Sequence, residues 1–186
     1  MEADVASSGV AVERAGFKFR AFLSYSRLDE ELAGKLQEQL EAFRIDRALW
    51  GVPTPAGPIP PTLHPIFRDK EDLAAGASLS SELQAALEQS QFLVVICSPA
   101  AAKSDFVNEE IRHFARKGGG DRILAFIVDG IPRDPTRNCF PRELLQRKPA
   151  RGKPRPGQSE PLAADIRDGW QAVSYTHLTL PTILRV

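Results

Sequence analysis

Three short apolar-rich runs constrain this chain more than any other feature. They lie at 19–24 (FRAFLS), 92–97 (FLVVIC) and 123–128 (ILAFIV). The last two are continuously apolar, as strands must be when both faces of a parallel sheet are covered. Weaker strands are predicted at 65–68 and near 161–166. Between the runs the hydrophobic period changes from that of a strand to that of a helix. Leu32, Leu36, Leu40 and Phe43 form one stripe, Leu79, Leu83, Ala86 and Leu87 a second, and Val107, Ile111 and Phe114 a third that stops at the glycines 118–120. Helix starts are legible too: Ser26 with Asp29 three residues on resembles a capping box, and Ser98 precedes a proline suited to the first helical position. Strands alternating with helices imply right-handed βαβ units. The expected fold is α/β, a three-layer sandwich around a parallel sheet of about five strands.

Two segments interrupt this rhythm. Residues 50–65 (WGVPTPAGPIPPTLHP) are too rich in proline for regular structure and read as a long loop. Residues 147–159 (RKPARGKPRPGQS) read as a basic surface loop, a composition that is most often merely solvated. The first 16 residues are small, polar and aperiodic, an arm preceding a domain of 17–172.

The chain of 186 residues is long enough for one domain with a substantial core. Its formal net charge of zero gives no electrostatic case for nucleic acid or an anionic membrane. No apolar stretch is long enough to span a bilayer, and no signal-peptide core stands near Met1. Cys97 and Cys139 show no pairing pattern and suggest reduced thiols in the cytoplasm. His64, His113 and His177 lack metal-ligand spacing, so neither a metal nor a bound cofactor is expected.

In an open parallel sheet, ligands bind beyond the carboxyl ends of the strands. Those ends carry Ser24, Tyr25, Ser26 and Arg27, then Phe67, Arg68 and Asp69, then Ser98, which should converge on one rim. The hydroxyls and Asp29 also read as ordinary cap and turn chemistry. Arg27 is not needed for a cap, and its guanidinium could hold a pyrophosphate as a two-pronged fork. Phe67 could stack on a base or sit in the core. No glycine-rich phosphate loop and no GxSxG elbow occurs, which argues against a Rossmann dehydrogenase, a P-loop NTPase and an α/β-hydrolase.

The segments FRAFLSYSRLD, PIFRDKEDLAAGASL and SSELQAALEQSQFLVVICSPAAAKSDFVNEEIRHF, in that order, resemble a bacterial TIR (Toll/interleukin-1 receptor-like) domain, from about residue 19 to 167. The resemblance implies a flavodoxin-like fold and makes 69–76 the BB loop, through which such domains associate with one another. It also implies NAD+ as a possible substrate, with Glu82 on the position of a catalytic glutamate. Ser24, Tyr25, Arg27, Phe67 and Phe106 are the expected NAD+ contacts. Phe106 and Glu110 stand at the spacing of a tryptophan–glutamate pair frequent in TIR domains. Phenylalanine keeps the aromatic packing there and loses the indole N–H, so the pair reads as structural first and pocket-lining second. Glu82 also has a plainer reading, as an exposed acid that complements the positive end of a helix.

Two functions follow from the resemblance: an NAD+ glycohydrolase releasing nicotinamide, and a non-catalytic interaction module in signal transduction. A phosphate-accepting receiver domain shares the architecture, but the chain has Phe17-Lys18-Phe19-Arg20 in place of the acidic pair of that class. The tail 173–186 does not continue the TIR pattern. Its SYTHLTLPT resembles a translated adapter string, so it is expected to be non-native or a disordered terminus.

Overall fold

A computed structural model describes residues 16–69, 79–146 and 163–167. Five strands, β1 (Phe19–Ser24), β2 (Ile66–Arg68), β3 (Ser90–Cys97), β4 (Ile123–Ile127) and β5 (Ala163–Asp165), form one sheet. Every pairing is parallel, in the order β2-β1-β3-β4-β5. The helices are α1 (Glu30–Ala42), α2 (Ser81–Glu88), α3 (Pro99–Lys103), α4 (Asp105–Phe114) and α5 (Arg142–Leu145).

The two-residue period of the strands divides the core into two layers. Phe22, Leu93, Val95, Cys97, Ala125 and Ile127 face Leu83 and Leu87 of α2, Val107, Ile111 and Phe114 of α4, and Leu144 of α5. Ala21, Leu23, Val94 and Ile96 point the other way, to Ala33 and Leu36 of α1. Phe22, Leu87 and Leu93 have no exposed surface; burying a side chain of this size contributes about 1.5–3 kcal/mol. This is the expected three-layer α/β sandwich.

Local differences have local causes. α1 ends at Ala42, so Phe43 leaves the predicted stripe with its backbone extended and its side chain 57% exposed. Ser26 and Asp29 form no capping box: a 3₁₀ turn over Arg27–Asp29 intervenes, and neither side chain caps a backbone N–H. Asp29 Oδ2 instead accepts from Ser98 Oγ at 2.6 Å. Ser98 does cap α3, accepting from the Ala101 amide at 3.0 Å, with Pro99 in the first turn. The proline-rich excursion is more ordered than its composition suggests. Gly51 and Ile59 pair through backbone bonds of 2.8 and 3.0 Å to Ile59 and Val52, and the Ile45 amide reaches Pro61 O at 3.1 Å. Past α4 the chain turns at Gly118, whose φ of +80° few other residues adopt. The segments 1–15, most of the BB loop 69–76, the basic loop 147–159 and the tail 173–186 lie outside the described residues.

Candidate functional site

A parallel sheet gathers all its carboxyl ends on one rim, and the polar residues there follow from where each strand stops. β1 ends in Ser24, which is 1% exposed and lies opposite Val95 of β3. Ser24 Oγ donates to Glu110 Oε2 of α4 at 2.5 Å. Glu110 lies three residues after Val107 and four before Phe114, so it shares their inward face and is only 7% exposed. Burial pushes its carboxyl up to about 8; the Ser24 bond opposes that rise, while Asp69 and Glu109 add to it by charge. A carboxyl that is protonated in a dry site at neutral pH is poised to respond to any positive charge brought beside it.

Tyr25 and Arg68 brace the same rim. Tyr25 OH donates to the Asp69 carbonyl, and Arg68 Nη1 donates to Tyr25 OH at 3.5 Å. Arg68 Nε reaches Gln37 Oε1 at 2.9 Å and a second nitrogen stands 3.8 Å from Glu30, tying the end of β2 to α1. Partial burial holds the Tyr25 phenol above its usual range, against the lowering effect of Arg68. Burial likewise raises the Asp29 carboxyl, with Ser98 opposing and the Asp129 charge assisting. Asp129 follows β4, so the rim carries polar groups from β1, β2, β3 and β4.

The expected residues do not all converge. Ser24, Tyr25 and Ser98 stand on the rim with buried or half-buried side chains, and Arg27 is exposed in the 3₁₀ turn that follows β1. Phe67 packs its ring 5.1 Å from both Phe19 and Phe22, edge-on to the first and stacked on the second. Phe106 is half-buried in the first turn of α4. Glu82 occupies the exposed first turn of α2, whose Ser80 cap accepts from the Leu83 amide at 3.2 Å. α2 runs back between parallel strands, so Glu82 is at the rim end of that helix. Glu110, read from the sequence as structural first, is the buried carboxyl of this rim, and the signal for its burial is a glutamate on the apolar stripe of α4. Among the described residues no group of three or more His, Cys, Asp or Glu could hold a metal, and no helix is long and apolar enough to cross a membrane.

Residues 21–151 match the family described as TIR domain. Over 114 residues the chain is 36% identical to the NAD(+) hydrolase ApTIR of Actinoplanes sp., a match covering 61% of this chain and 14% of that protein. The chain therefore spans about a seventh of that relative's length. A solved structure, the TIR domains of the activated Roq1 resistosome that directly recognizes the pathogen effector XopQ, aligns with a TM-score of 0.39 and 23% identity, over 59% of this chain and 57% of that one. With a family match that runs from the first strand to beyond the last helix of the sandwich, the chain belongs to the TIR domain family.

Proposed function

We propose that this domain, acting in the cytoplasm as one unit over residues 17–172, hydrolyses the nicotinamide–ribose bond of NAD+ at the carboxyl rim of its sheet. One observation carries the reading: a buried carboxyl, Glu110, held by a buried hydroxyl, Ser24, where the strands of this fold end. The likeness to a NAD(+) hydrolase supports it. In the reaction the C1′–N bond breaks and its electron pair leaves with neutral nicotinamide. Positive charge develops on the ribose ring, water adds to C1′, and a proton is released. A carboxylate near C1′ stabilises that charge, and a dry site strengthens the effect. Glu110 is the carboxylate the geometry favours. Glu82, the position implied by the family resemblance, is the second candidate. Arg27 is assigned to the pyrophosphate; Ser24, Tyr25, Phe67 and Phe106 are assigned to the walls of the NAD+ site, with Ser24 orienting Glu110.

Nicotinamide release by the parent, Glu110→Gln and Glu82→Gln tests the assignment. Loss of one preorganised electrostatic contact typically costs about 2.7–4 kcal/mol, roughly a hundredfold in rate or more. Glu110→Gln is expected to fall by that much with its fold intact, and Glu82→Gln by less. The reverse order would move the chemistry to α2. No release by concentrated parent protein would leave the second reading, an interaction module that assembles with other TIR domains through the BB loop 69–76. In both readings the loop is proposed to mediate self-association, and sedimentation of Leu73→Glu against the parent is the check: equal assembly would exclude the loop.

A further inference from the structure

The opposite pole of the sheet, where β1, β3 and β4 begin, holds a cavity of about 270 Å³ that the rim chemistry does not use. Phe17 precedes β1, Glu88 ends α2, His113 and Phe114 end α4, and Arg122 precedes β4, so strand and helix termini from four elements meet there. Its walls are aromatic and its mouth is ionic. The Arg122 guanidinium lies over both the Phe17 ring, at 5.0 Å, and the Phe114 ring, at 5.5 Å. One of its nitrogens is fixed by the Gln91 carbonyl at 2.7 Å. Lys117 Nζ and His113 Nε2 both close on a single acceptor, Glu88 Oε1, at 2.8 and 3.1 Å.

Lys117 and His113 thus share one carboxylate while Arg122 lines the same cavity, so the lining carries two permanent cations against one anion whether or not His113 is protonated. Arg116, exposed on the next turn, adds to the field without lining the cavity. Nothing in the core requires this cluster: Lys117 and Glu88 are 57% and 41% exposed, and such pairs contribute little to stability. A guanidinium braced between two rings is preorganised and keeps donors free for a planar or tetrahedral oxyanion. Phe114 is 3% exposed, so the half-buried Phe17 is the wall that suits a flat, apolar body on the same molecule.

We propose that this cavity is a second ligand site, which takes a small aromatic phosphate monoester with its phosphate between Lys117, His113 and Arg122 and its ring against Phe17. Glu88 pairs with Lys117 and His113 and is the group the phosphate displaces. This role distinguishes the site from a merely basic surface, because removing an acid there should tighten anion binding.

Phenyl phosphate titrated into the full chain, followed by NMR of the backbone amides and the His113 ring, provides the test. Saturable shifts at His113, Phe114, Lys117 and Arg122 are expected in the millimolar range or below. Lys117→Ala should weaken binding about threefold to fivefold, Glu88→Gln should tighten it by a similar factor, and Arg116→Ala should leave it nearly unchanged. Inorganic phosphate, lacking the ring, should bind more weakly than phenyl phosphate. Shifts confined to Ser24, Arg27 and Glu110 would place the anion at the rim and overturn the proposal. So would equal binding of benzyl alcohol, which carries no charge, or unchanged affinity in Glu88→Gln. Binding is read at the cavity's own nuclei, so the result is independent of any turnover at the rim.

Discussion

Glu110 should make this domain lose stability as pH rises, and a single substitution isolates the effect. In the folded protein its carboxyl stands at about 8, against 4.5 for an unperturbed glutamate, because burial disfavours the charge. Between those values the folded state keeps a proton that the unfolded chain has already released. The contribution is therefore complete below about pH 4.5 and declines by about 1.4 kcal/mol per pH unit until Glu110 ionises in both states near pH 8. The full loss is on the order of 5 kcal/mol, and roughly 3 kcal/mol of it has occurred by pH 7. That is a large part of the total stability of a domain, commonly about 5–15 kcal/mol. Glutamine keeps the shape of the protonated acid and an oxygen for the Ser24 hydroxyl, but it does not titrate. Urea unfolding of the parent and Glu110→Gln should give similar stabilities at pH 5. The variant should then become the more stable by roughly 3 kcal/mol at pH 7. Using the difference between the two proteins cancels the titrating groups that do not couple to Glu110. Parallel stability curves across this range would refute the reasoning, since they would mean that Glu110 titrates alike in the folded and unfolded chains.

Ser98→Ala should cost about 1–2 kcal/mol in thermal or urea unfolding, because one hydroxyl both caps α3 at the Ala101 amide and donates to Asp29. The same change removes the bond that holds the Asp29 carboxyl down, so NMR titration of Asp29 should show it rising further above the usual carboxylate range. Arg27→Ala, at an exposed position, should leave melting without ligand within about 0.5 kcal/mol of the parent. If Arg27 holds the pyrophosphate, the variant should bind NAD+ about tenfold more weakly, and an unchanged NAD+-dependent melting shift would remove it from the site.

How far the sequence could be read depended on whether a signal was periodic or single. β1 was legible residue by residue, and β3 and β4 nearly so, because their apolar residues stand in compact runs, although β4 is not covered on both faces and leaves Leu124 45% exposed. β3 in fact starts two residues earlier, at Ser90, since polar side chains there are satisfied inside: Ser90 Oγ donates to Ala86 O at 2.7 Å, and the Gln91 amide bonds Ala56 O and accepts from Arg20. Such bonds need partners distant in sequence and leave no trace in composition. α5 has four residues, too few to show a helical period. The backbone pairing within the excursion before β2 was hidden because prolines remove donors but still accept, as Pro61 O does from Ile45. The site divides in the same way. Strand ends told which hydroxyls reach the rim, whereas Glu110 looked like half of a structural pair with Phe106. Its place on the stripe of Val107 and Phe114 marked it as buried, and only the fold put Ser24 above it.

A carboxyl protonated at pH 7 offers no charge to a developing cation until it ionises, and under the proposed activity the substrate itself would supply the cause. NAD+ carries a positive nicotinamide ring. A unit charge about 4 Å from a carboxylate gains about 4 kcal/mol at an effective dielectric constant of about 20, equivalent to roughly three pKa units. If the ring sits that close, the Glu110 carboxyl drops from about 8 to near the range of an ordinary glutamate. Binding should then expel a proton. At pH 7 a group with a free value of about 8 is roughly nine-tenths protonated, so close to one proton should leave per ligand bound. The released proton can be counted with a carbocyclic NAD+ analogue, which lacks the ring oxygen needed for the oxocarbenium ion and so binds without being cleaved. Calorimetric binding enthalpies measured at pH 7 in buffers of different ionisation enthalpy should give a slope near one for the parent and near zero for Glu110→Gln. A zero slope in the parent would mean that no positive charge comes near Glu110 in the complex, and its burial would then serve the core alone. The same coupling works in reverse: affinity for the cation should rise with pH until Glu110 ionises without it near pH 8. If NAD+ binds there as proposed, ligand binding and folding pull Glu110 in opposite directions, and a site that holds its acid neutral without the cation and charged with it would gain its selectivity for a cation from that conflict.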